Sequence, residues 1–352
     1  MIQYNVLGLM SGTSLDGVDL ALCSFSQSID QWNWQVKKAV TIPYPPALLQ
    51  KLAKVVNSSA LEITELDFEL GHFFADNIIA FMQDRDEKLF CIASHGHTVF
   101  HQPEKGFTLQ IGNEVVIAVK TNIPVVCDFR VLDVVLGGQG APLVPIGDQL
   151  LFAEYSACVN LGGFSNISYQ SDCQRIAFDI APCNLPLNRL AALINLSYDR
   201  DGLMARNHSW NAHLLDQLNK LPYYQQSYPK SLGVEWLDQI FMPLIADADL
   251  SVETKISTVT EHIASQIAHQ LNRIAGGTVL LTGGGTKNAF LVERIQNLTD
   301  KTIIIPDSET IDYKEALIFA FLGLLKLLCE DNCLRSVTGA ERDSSGGVVW
   351  FP

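Results

Sequence analysis

The sequence predicts an α/β protein of two domains, and three observations carry this prediction. Short apolar runs typical of strands alternate along the chain with segments of helical periodicity, the pattern of the α/β class. The chain has 352 residues, more than a usual single domain, and 48% of them are hydrophobic, enough to fill two cores. A pattern of strand, small polar turn and strand occurs twice, roughly 150 residues apart, which favours an internal duplication.

The first part of the chain predicts strands, two helices and a joint. Apolar positions recur at helical spacing over residues 61–83, among them Leu66, Leu70 and Ile78. The Gly- and Pro-rich stretch 136–148 predicts a loop or a domain crossing. Strands are predicted at residues 5–10, 18–25, 89–93, 108–111 and 124–127, with a helix between the last two.

The second part repeats the alternation. A strand at 157–160 runs into the turn LGGFSNIS, residues 161–168, which continues as a partner strand. Residues 257–275 form an amphipathic helix with Ile263, Ile267 and Leu271 on one face. The remaining elements are a strand, Gly-rich turn and helix over 277–291, a strand at 303–305 and a long helix at about 313–329.

The charge, apolar runs and cysteines of the sequence indicate which kinds of partner and environment the protein has. The formal net charge is −14, which disfavours nonspecific binding to nucleic acid or to anionic membranes because both need basic surface. The longest apolar run, residues 316–325, is too short to span a bilayer, and the start lacks the basic region of a signal peptide. The eight cysteines form no C-x-x-C pair, so we expect free thiols in a reducing, cytoplasmic protein.

The loop SGTSLDG, residues 11–17, is a candidate cradle for phosphate. Gly12 and Gly17 allow close backbone approach to an anion, and consecutive N–H groups in such a turn form an anion nest. The loop also offers three hydroxyls and the carboxylate of Asp16. A Walker A loop is excluded, because no lysine is present and a strand follows. An ordinary hairpin turn is the alternative for this loop taken alone.

Two further loops favour the phosphate interpretation. LGGFSNIS repeats the chemistry of the first loop in a second α/β segment. TGGGTKNAF, residues 282–290, places three glycines between a strand and a helix start, where backbone donors and the helix dipole favour phosphate. The three loops together predict a nucleotide held between two similar domains.

Several side chains are candidates for chemistry. Asp179 in FDIAPCN is expected to project at a strand end, where a carboxylate can act as general base; a turn or capping role is the alternative. Arg130 in DFRVLD suits bidentate binding of a carboxylate, with an ion pair as the alternative. His95, His97 and His101 lie close in sequence, but H-x-H without Cys or acidic partners is weak zinc spacing. The other histidines are expected to be solvated or ordinary helix residues.

The loops and motifs resemble those of a known family. The duplicated turns are similar to the two phosphate loops of the actin and sugar-kinase superfamily, and TGGGTKN resembles its adenosine loop. GLMSGTSLDGVD, SHGHT, DFR, GGQGAPLVP, NLGGFSNIS, FD-x-x-P-x-N, TGGGTKN, KEA and VTGA occur in the order seen in anhydro-N-acetylmuramic acid kinases. The resemblance runs nearly end to end, and GLMSGTSLDG and GGQGAPLVP are quite specific to that family.

The resemblance implies a fold and a reaction. The fold would be two actin-like (ribonuclease H-like) domains, mixed sheets flanked by helices, with ATP in the interdomain cleft. The domains would comprise residues 1–130 with about 330–352, and residues 131–329. The substrate would be 1,6-anhydro-N-acetylmuramic acid, a cell-wall turnover product. Water opens its anhydro bridge while ATP, with Mg2+, phosphorylates O6. A homodimer is usual for the family.

The resemblance also implies site residues. Asp179 would be the catalytic base, and Asp16 would be nearest to Mg2+, through water. Glu315, which could alternatively complement a helix dipole, would bind the sugar with His95, Gly96, Arg130, Asp133 and Asn184. The nucleotide-binding residues would be Ser11, Gly12, Thr13, Ser14, Leu15, Asp16, Gly17, Asn160, Gly162, Gly163, Gly283, Gly284, Gly285, Lys287 and Asn288.

The chain departs from the family pattern in one motif. The family reads close to D-T-G-P-G-N with an Asp four residues after the Asn, whereas this chain has Ala181 and Cys183 at the glycines and Asn188 at the later Asp. His97 also replaces a family Gln. A kinase for another sugar, or an inactive relative, is therefore one alternative. An actin-like ATPase scaffold is another. A glycosidase with paired carboxylates would not explain the three loops.

Overall fold

The computed structural model describes residues 2–12, 15–29, 31–84 and 87–352. The strands are β1 Gln3–Ser11, β2 Val18–Gln27, β3 Trp32–Ile42, β4 Cys91–Gln102, β5 Phe107–Ile111, β6 Val125–Cys127, β7 Ala157–Leu161, β8 Phe164–Ser171, β9 Gln174–Pro182, β10 Thr278–Thr282, β11 Thr302–Ile304 and β12 Val348–Trp350. The helices are α1 Pro46–Leu52, α2 Ala60–Met82, α3 Glu114–Thr121, α4 Val131–Val135, α5 Val144–Leu151, α6 Asn184–Ala192, α7 Leu203–Asn207, α8 Ala212–Asn219, α9 Val234–Trp236, α10 Met242–Ala246, α11 Val252–Leu271, α12 Ala289–Leu298, α13 Ser308–Leu327 and α14 Arg335–Thr338.

The chain divides into two compact units. The first comprises Met1–Leu151 and Tyr313–Pro352, and the second comprises Phe152–Asp312. Residues 131–151 and 313–329, which the sequence analysis assigned to the second domain, therefore belong to the first unit. The cause is packing: α13 contacts the first sheet, where the Phe321 ring lies 5.3 Å from that of Phe25. The assignment of independent domains stays a prediction.

Each unit contains one mixed sheet, and the two sheets share a strand order. The first sheet runs β12-β6-β4-β1-β2-β3 with β5 added to β4, and the second runs β11-β10-β7-β8-β9. In the first, β1 pairs antiparallel with β2 and parallel with β4. In the second, β7 pairs antiparallel with β8 and parallel with β10. The predicted α/β class with mixed sheets flanked by helices is confirmed, and the shared order supports the predicted duplication.

Apolar faces of helices cover the sheets. In the first unit, Leu7 and Leu20 belong to a buried cluster with Leu70 and Phe74 of α2. In the second unit, Val159 of β7 packs in a cluster with Ile263 and Ile267 of α11. The predicted helix at 257–275 therefore exists with its predicted face, but it begins at Val252, because Ser251 caps it by accepting the N–H of Thr254.

The structure contains elements that the sequence analysis did not predict. These are β3, β12 and the helices α1, α4 to α10 and α14. The strand expected to end at Asp179 is β9, which continues to Pro182. The strand predicted at 89–93 continues to Gln102 as β4, because this segment pairs with β1 on one side and β5 on the other. SHGHT consequently lies within a strand. The joint 136–148 is partly helical, since α5 begins at Val144.

Two further observations concern partners and cysteines. No helix in the described part of the chain is long and apolar enough to cross a membrane. All eight cysteines are free, and six of them are buried, whereas Cys173 and Cys329 are exposed.

Candidate functional site

The first phosphate-loop candidate connects β1 to β2. The N–H of Leu15 donates to the Gly12 carbonyl. Gly17 has a positive φ, and a Cβ there would lie 2.4 Å from the carbonyl oxygen of Ile42, so only glycine fits. Asp16 is exposed. The predicted contacts of Thr13 and Ser14 lie outside the described residues.

The Ser11 hydroxyl serves to anchor this loop. Its oxygen lies 2.6 Å from the hydroxyl of Tyr44 and 2.8 Å from Nδ1 of His97, and the residue is 1% exposed. Both partners of this buried hydroxyl are protein groups, and the nucleotide contact predicted for Ser11 stays a prediction. His97, at the position of the family Gln, supplies one of these anchors.

The second unit brings its two Gly-rich turns together. The N–H of Cys183 donates to the Gly163 carbonyl and that of Asn184 to the Gly162 carbonyl. The Asn184 amide donates to the Leu161 carbonyl at 3.0 Å, which fixes its side chain on the β7–β8 turn. A Cβ on Gly285 would lie 2.6 Å from Cβ of Leu161 and 3.0 Å from Oδ1 of Asn184. The predicted loops at 160–163 and 283–285 therefore lie against each other.

The ends of the third loop have protein partners. Nζ of Lys287 lies 2.8 Å from a carboxylate oxygen of Asp312, and both side chains are exposed. The Asn288 side chain accepts the N–H of Leu291 and so caps α12. Asn288 thus performs the local role that Asn commonly has before a helix. Nucleotide contacts by these two residues stay predictions.

Asp179 lies inside β9 rather than after a strand, because β9 extends to Pro182. Its half-buried carboxylate accepts the N–H of Leu232 at 2.8 Å on Oδ2, and its backbone carbonyl accepts the hydroxyl of Tyr223 at 2.6 Å. Burial raises the pKa of Asp179, and the Leu232 N–H opposes this rise by stabilising the anion. A half-buried carboxylate with a raised pKa suits a general base.

A β-bulge orients Asp179. Ser165 pairs with Ala181, but the next residue of β8, Asn166, pairs with Asp179, so Ile180 is an extra residue in β9. Bulges turn side chains to a new direction and are common beside active sites. Ala181 and Cys183, which replace the family glycines, are both completely buried in the core of the second unit.

In the first unit, Arg130 and His95 form a hydrogen-bonded pair. Nε and Nη2 of Arg130 lie 3.0 and 2.8 Å from Nε2 of His95, and Nη1 donates to the Gly140 carbonyl at 2.7 Å. Nδ1 of His95 lies 2.9 Å from the Gly96 carbonyl. Burial first, and the neighbouring Arg130 charge second, hold the pKa of His95 well below its usual range. His95 is therefore neutral, with its proton on Nδ1.

Asp133 is buried and bound to the protein. It is 1% exposed, and its oxygens accept the Gly140 N–H at 2.7 Å and the Thr338 hydroxyl at 2.7 Å. The thiol of Cys333 lies 3.1 Å from Oδ1. Asp133 is thus held by partners within the first unit, and the direct sugar contact that the resemblance implies for it stays a prediction.

Glu315 lies within α13, which begins at Ser308. The alternative role of a first-turn glutamate is therefore wrong, because the residue is two turns into the helix. Desolvation by the surrounding protein raises the pKa of Glu315, and the positive charge of Arg130 opposes this rise. Its neighbour Lys314 forms a buried ion pair with Asp148 at 2.7 Å, which fixes this part of α13 within the first unit.

The clustered histidines have separate partners. The His95 ring lies 4.6 Å from that of Phe319 on α13, whereas His97 bonds to Ser11. A register shift in the pairing of β1 with β4 separates the two, because Leu9 pairs with Ser94 but Ser11 pairs with His97. Among residues that the structure describes, no group of three or more metal-ligating side chains occurs. His262, expected to be an ordinary helix residue, is buried, and its ring bonds to Asn219 and Tyr224.

Sequence reasoning missed the residues that support Asp179 and Ser11. These are Tyr44, Tyr223, Lys230 and Leu232. Lys230 donates to the Tyr223 carbonyl at 3.2 Å, and its ammonium lies 4.6 Å from the centre of the Tyr223 ring. Only the tyrosine-rich composition of 223–228 gave any signal, because Tyr223 and Leu232 lie 44 and 53 positions from Asp179, and Tyr44 lies 33 positions from Ser11.

The protein is therefore an α/β protein with two adjoining Gly-rich turns and a half-buried carboxylate on Asp179, a residue that is held by hydrogen bonds. The chain matches the family described as anhydro-N-acetylmuramic acid kinase over residues 4–352. The relative from Vibrio cholerae is 37% identical over 98% of both chains, and the one from Mannheimia succiniciproducens is 34% identical over 100% of both. The chain therefore belongs to the anhydro-N-acetylmuramic acid kinase family.

Solved structures are similar at a lower level. One match is a ROK family glucokinase from Streptomyces griseus in complex with glucose and AMPPNP. The match covers 91% of this chain and 99% of the glucokinase chain. Its TM-score is 0.39 at 11% identity. An activator of 2-hydroxyisocaproyl-CoA dehydratase from Clostridium difficile has a TM-score of 0.44 at 11% identity. Likenesses at this level carry no conclusion about activity.

Proposed function

We propose that this protein is an ATP-dependent kinase that converts 1,6-anhydro-N-acetylmuramic acid to N-acetylmuramic acid 6-phosphate. The observation that carries the proposal is the match to the kinase family over residues 4–352, which includes Asp179 at its bulge. Arg130 and Glu315 belong to the first unit, and Asp179 and the paired turns belong to the second.

The residues present fit the nucleotide and a hydrated cation. The turns at 160–163 and 283–285 lie against each other, and a Cβ on Gly284 would meet nothing within 4 Å, which leaves room for phosphate beside backbone N–H groups. The exposed carboxylate of Asp16 fits Mg2+ that keeps most of its waters. When bound, Mg-ATP supplies the phosphoryl group and neutralises charge that develops during its transfer.

The roles of the protein groups follow from their bonds. Leu232 holds Oδ2 of Asp179, so we assign Oδ1 to take a proton from the attacking water. The water oxygen bonds to the anomeric carbon as the bond to O6 breaks, and O6 becomes the phosphoryl acceptor. Arg130 binds the lactyl carboxylate of the sugar, which suits its planar fork of donors.

The altered motif motivates one alternative, a kinase for another sugar or an inactive relative. Ala181 and Cys183 are buried among core residues, so their added atoms point away from solvent. This burial favours retention of the family reaction. Ile180 at the family threonine and the loss of a carboxylate at Asn188 are the remaining differences from the family motif.

The test is ADP release from Mg-ATP with and without the anhydro sugar, and with a panel of hexoses. Strong stimulation by the anhydro sugar alone supports the proposal. Stimulation by a hexose instead would identify a kinase for another sugar. ADP release that no sugar changes would favour an actin-like ATPase scaffold.

A further inference from the structure

The guanidinium of Arg130 is held by two protein groups. His95 accepts from Nε and Nη2, and the Gly140 carbonyl accepts from Nη1. A guanidinium has about five N–H donors in a fixed plane, so about two remain for a ligand. The direction of these remaining donors is set by both protein groups, because a planar fork cannot turn without breaking one of the bonds.

The His95 side of this arrangement is fixed by burial. Its ring is neutral and donates from Nδ1 to the Gly96 carbonyl, which leaves the Nε2 lone pair for Arg130. The ring also packs 4.6 Å from that of Phe319. His95 consequently accepts from Arg130 without adding a charge that would compete with a carboxylate ligand.

The Gly140 side is fixed by Asp133. Oδ2 of Asp133 accepts the N–H of Gly140, while Oδ1 accepts the hydroxyl of Thr338 in the C-terminal segment. The backbone carbonyl of Asp133 also accepts the N–H of Gly138 at 2.8 Å. Asp133 thus joins the loop after α4 to residue 338, and that loop carries the carbonyl that Arg130 contacts.

We propose that Asp133 is a positioning residue for the kinase reaction: through Gly140 it aims the guanidinium of Arg130 at the carboxylate of the sugar. The inference rests on the proposed function for the identity of that carboxylate. The arrangement of Asp133, Gly140, Arg130 and His95 is a property of the first unit alone. A purely structural Asp133 would stabilise the fold without controlling Arg130.

The first measurement is solvent exchange of the Arg130 Nε–H by NMR, without substrates, in wild type and Asp133→Ala. We expect exchange to accelerate roughly tenfold in the variant, because loss of one charged hydrogen bond loosens the guanidinium. Asp133→Asn keeps an oxygen acceptor and should restore most of the protection. Asp199→Ala is the matched control, since Asp199 is also buried and accepts the N–H groups of Met204 and Ala205.

The second measurement is steady-state kinetics on the same proteins. Asp133→Ala should raise the KM for the anhydro sugar about tenfold, with the KM for ATP and kcat nearly unchanged, since only Arg130 is released. Asp199→Ala should lower the melting temperature without this selective rise. Thr338→Val serves if Asp133→Ala does not fold, and should give a smaller change in the same direction.

The outcomes separate the two proposals. Unchanged Arg130 exchange in Asp133→Ala, or equal rises in both KM values, would overturn the positioning role. Accelerated exchange in a protein whose wild type does not turn over the anhydro sugar would retain the positioning role and overturn the proposed function. A selective rise in sugar KM together with faster exchange supports both.

Discussion

The backbone N–H of Leu232 donates a 2.8 Å hydrogen bond to Oδ2 of Asp179. This bond stabilises the anionic form of a half-buried carboxylate whose pKa burial would otherwise raise further. It also fixes which oxygen stays available for a proton. A loop residue 53 positions along the chain therefore stabilises both the anionic form and the orientation of the candidate base.

Substitution of Asp179 tests its role directly. Asp179→Asn should lower kcat for sugar-stimulated ADP release roughly 100-fold to 10,000-fold, because the amide cannot accept the proton from water. Asp172→Asn, in the exposed hairpin turn between β8 and β9, is the control and should retain activity. Retention of wild-type kcat in Asp179→Asn, with an unchanged melting temperature, would exclude Asp179 as the base.

The pH profile tests the raised pKa of Asp179. The base must be ionised, so kcat/KM should fall as pH drops through its pKa, which burial places above the ordinary value of 3.8. The acid limb of kcat/KM against pH should consequently lie above pH 3.8. An acid limb at or below that value in a protein that remains folded would contradict the assignment.

Buried histidines should make stability depend on pH. Burial lowers the pKa of His262 to about 3 and that of His95 well below 6.5, while unfolded histidines bind protons near 6.5. The unfolded state therefore binds more protons below pH 6.5, and stability present above that pH is lost as pH falls. Each histidine should contribute about 1.4 kcal/mol of lost unfolding free energy per pH unit.

Urea unfolding between pH 6.5 and 5 checks this expectation. His262→Gln should reduce the pH dependence of the unfolding free energy by one histidine's share, although the variant is less stable at every pH. His72→Gln changes an exposed histidine and should leave the dependence as in wild type. An identical slope in His262→Gln and wild type would mean that His262 is protonated in the folded state.

Substitutions at the adjacent residues Gly284 and Gly285 should distinguish an effect on stability from an effect on nucleotide binding. A Cβ on Gly285 would lie 2.6 Å from Cβ of Leu161, so Gly285→Ala should destabilise the protein by about 1–3 kcal/mol. A Cβ on Gly284 would meet nothing within 4 Å, so Gly284→Ala should leave the unfolding free energy unchanged.

Calorimetric binding of Mg-ATP completes this comparison. If phosphate lies against the turn, Gly284→Ala should weaken ATP binding about tenfold or more, because the added methyl occupies space that the apo chain leaves open. Unchanged ATP affinity in Gly284→Ala would place the nucleotide elsewhere. Such a result would leave the fold and the family membership as they are.

The sequence by itself determined the α/β class, the duplication and most strands of both sheets. Alternating apolar runs, Gly-rich turns and helical periodicity are local signals, so they can be interpreted without long-range contacts. The motifs in their order also determined the family. β3 was not predicted because this half-exposed strand lacks a continuous apolar run and its pairing depends on its neighbours.

Tertiary structure alone decided which partners the candidate polar residues have. The Ser11 hydroxyl bonds to Tyr44 and His97, and the Asp133 carboxylate bonds to Gly140 and Thr338. Asp179 is held by hydrogen bonds from Leu232 and Tyr223, which lie too far along the chain for a local sequence pattern to predict the contact. A side chain's chemistry is local, whereas its burial and partners depend on segments distant in sequence, and these decide its role.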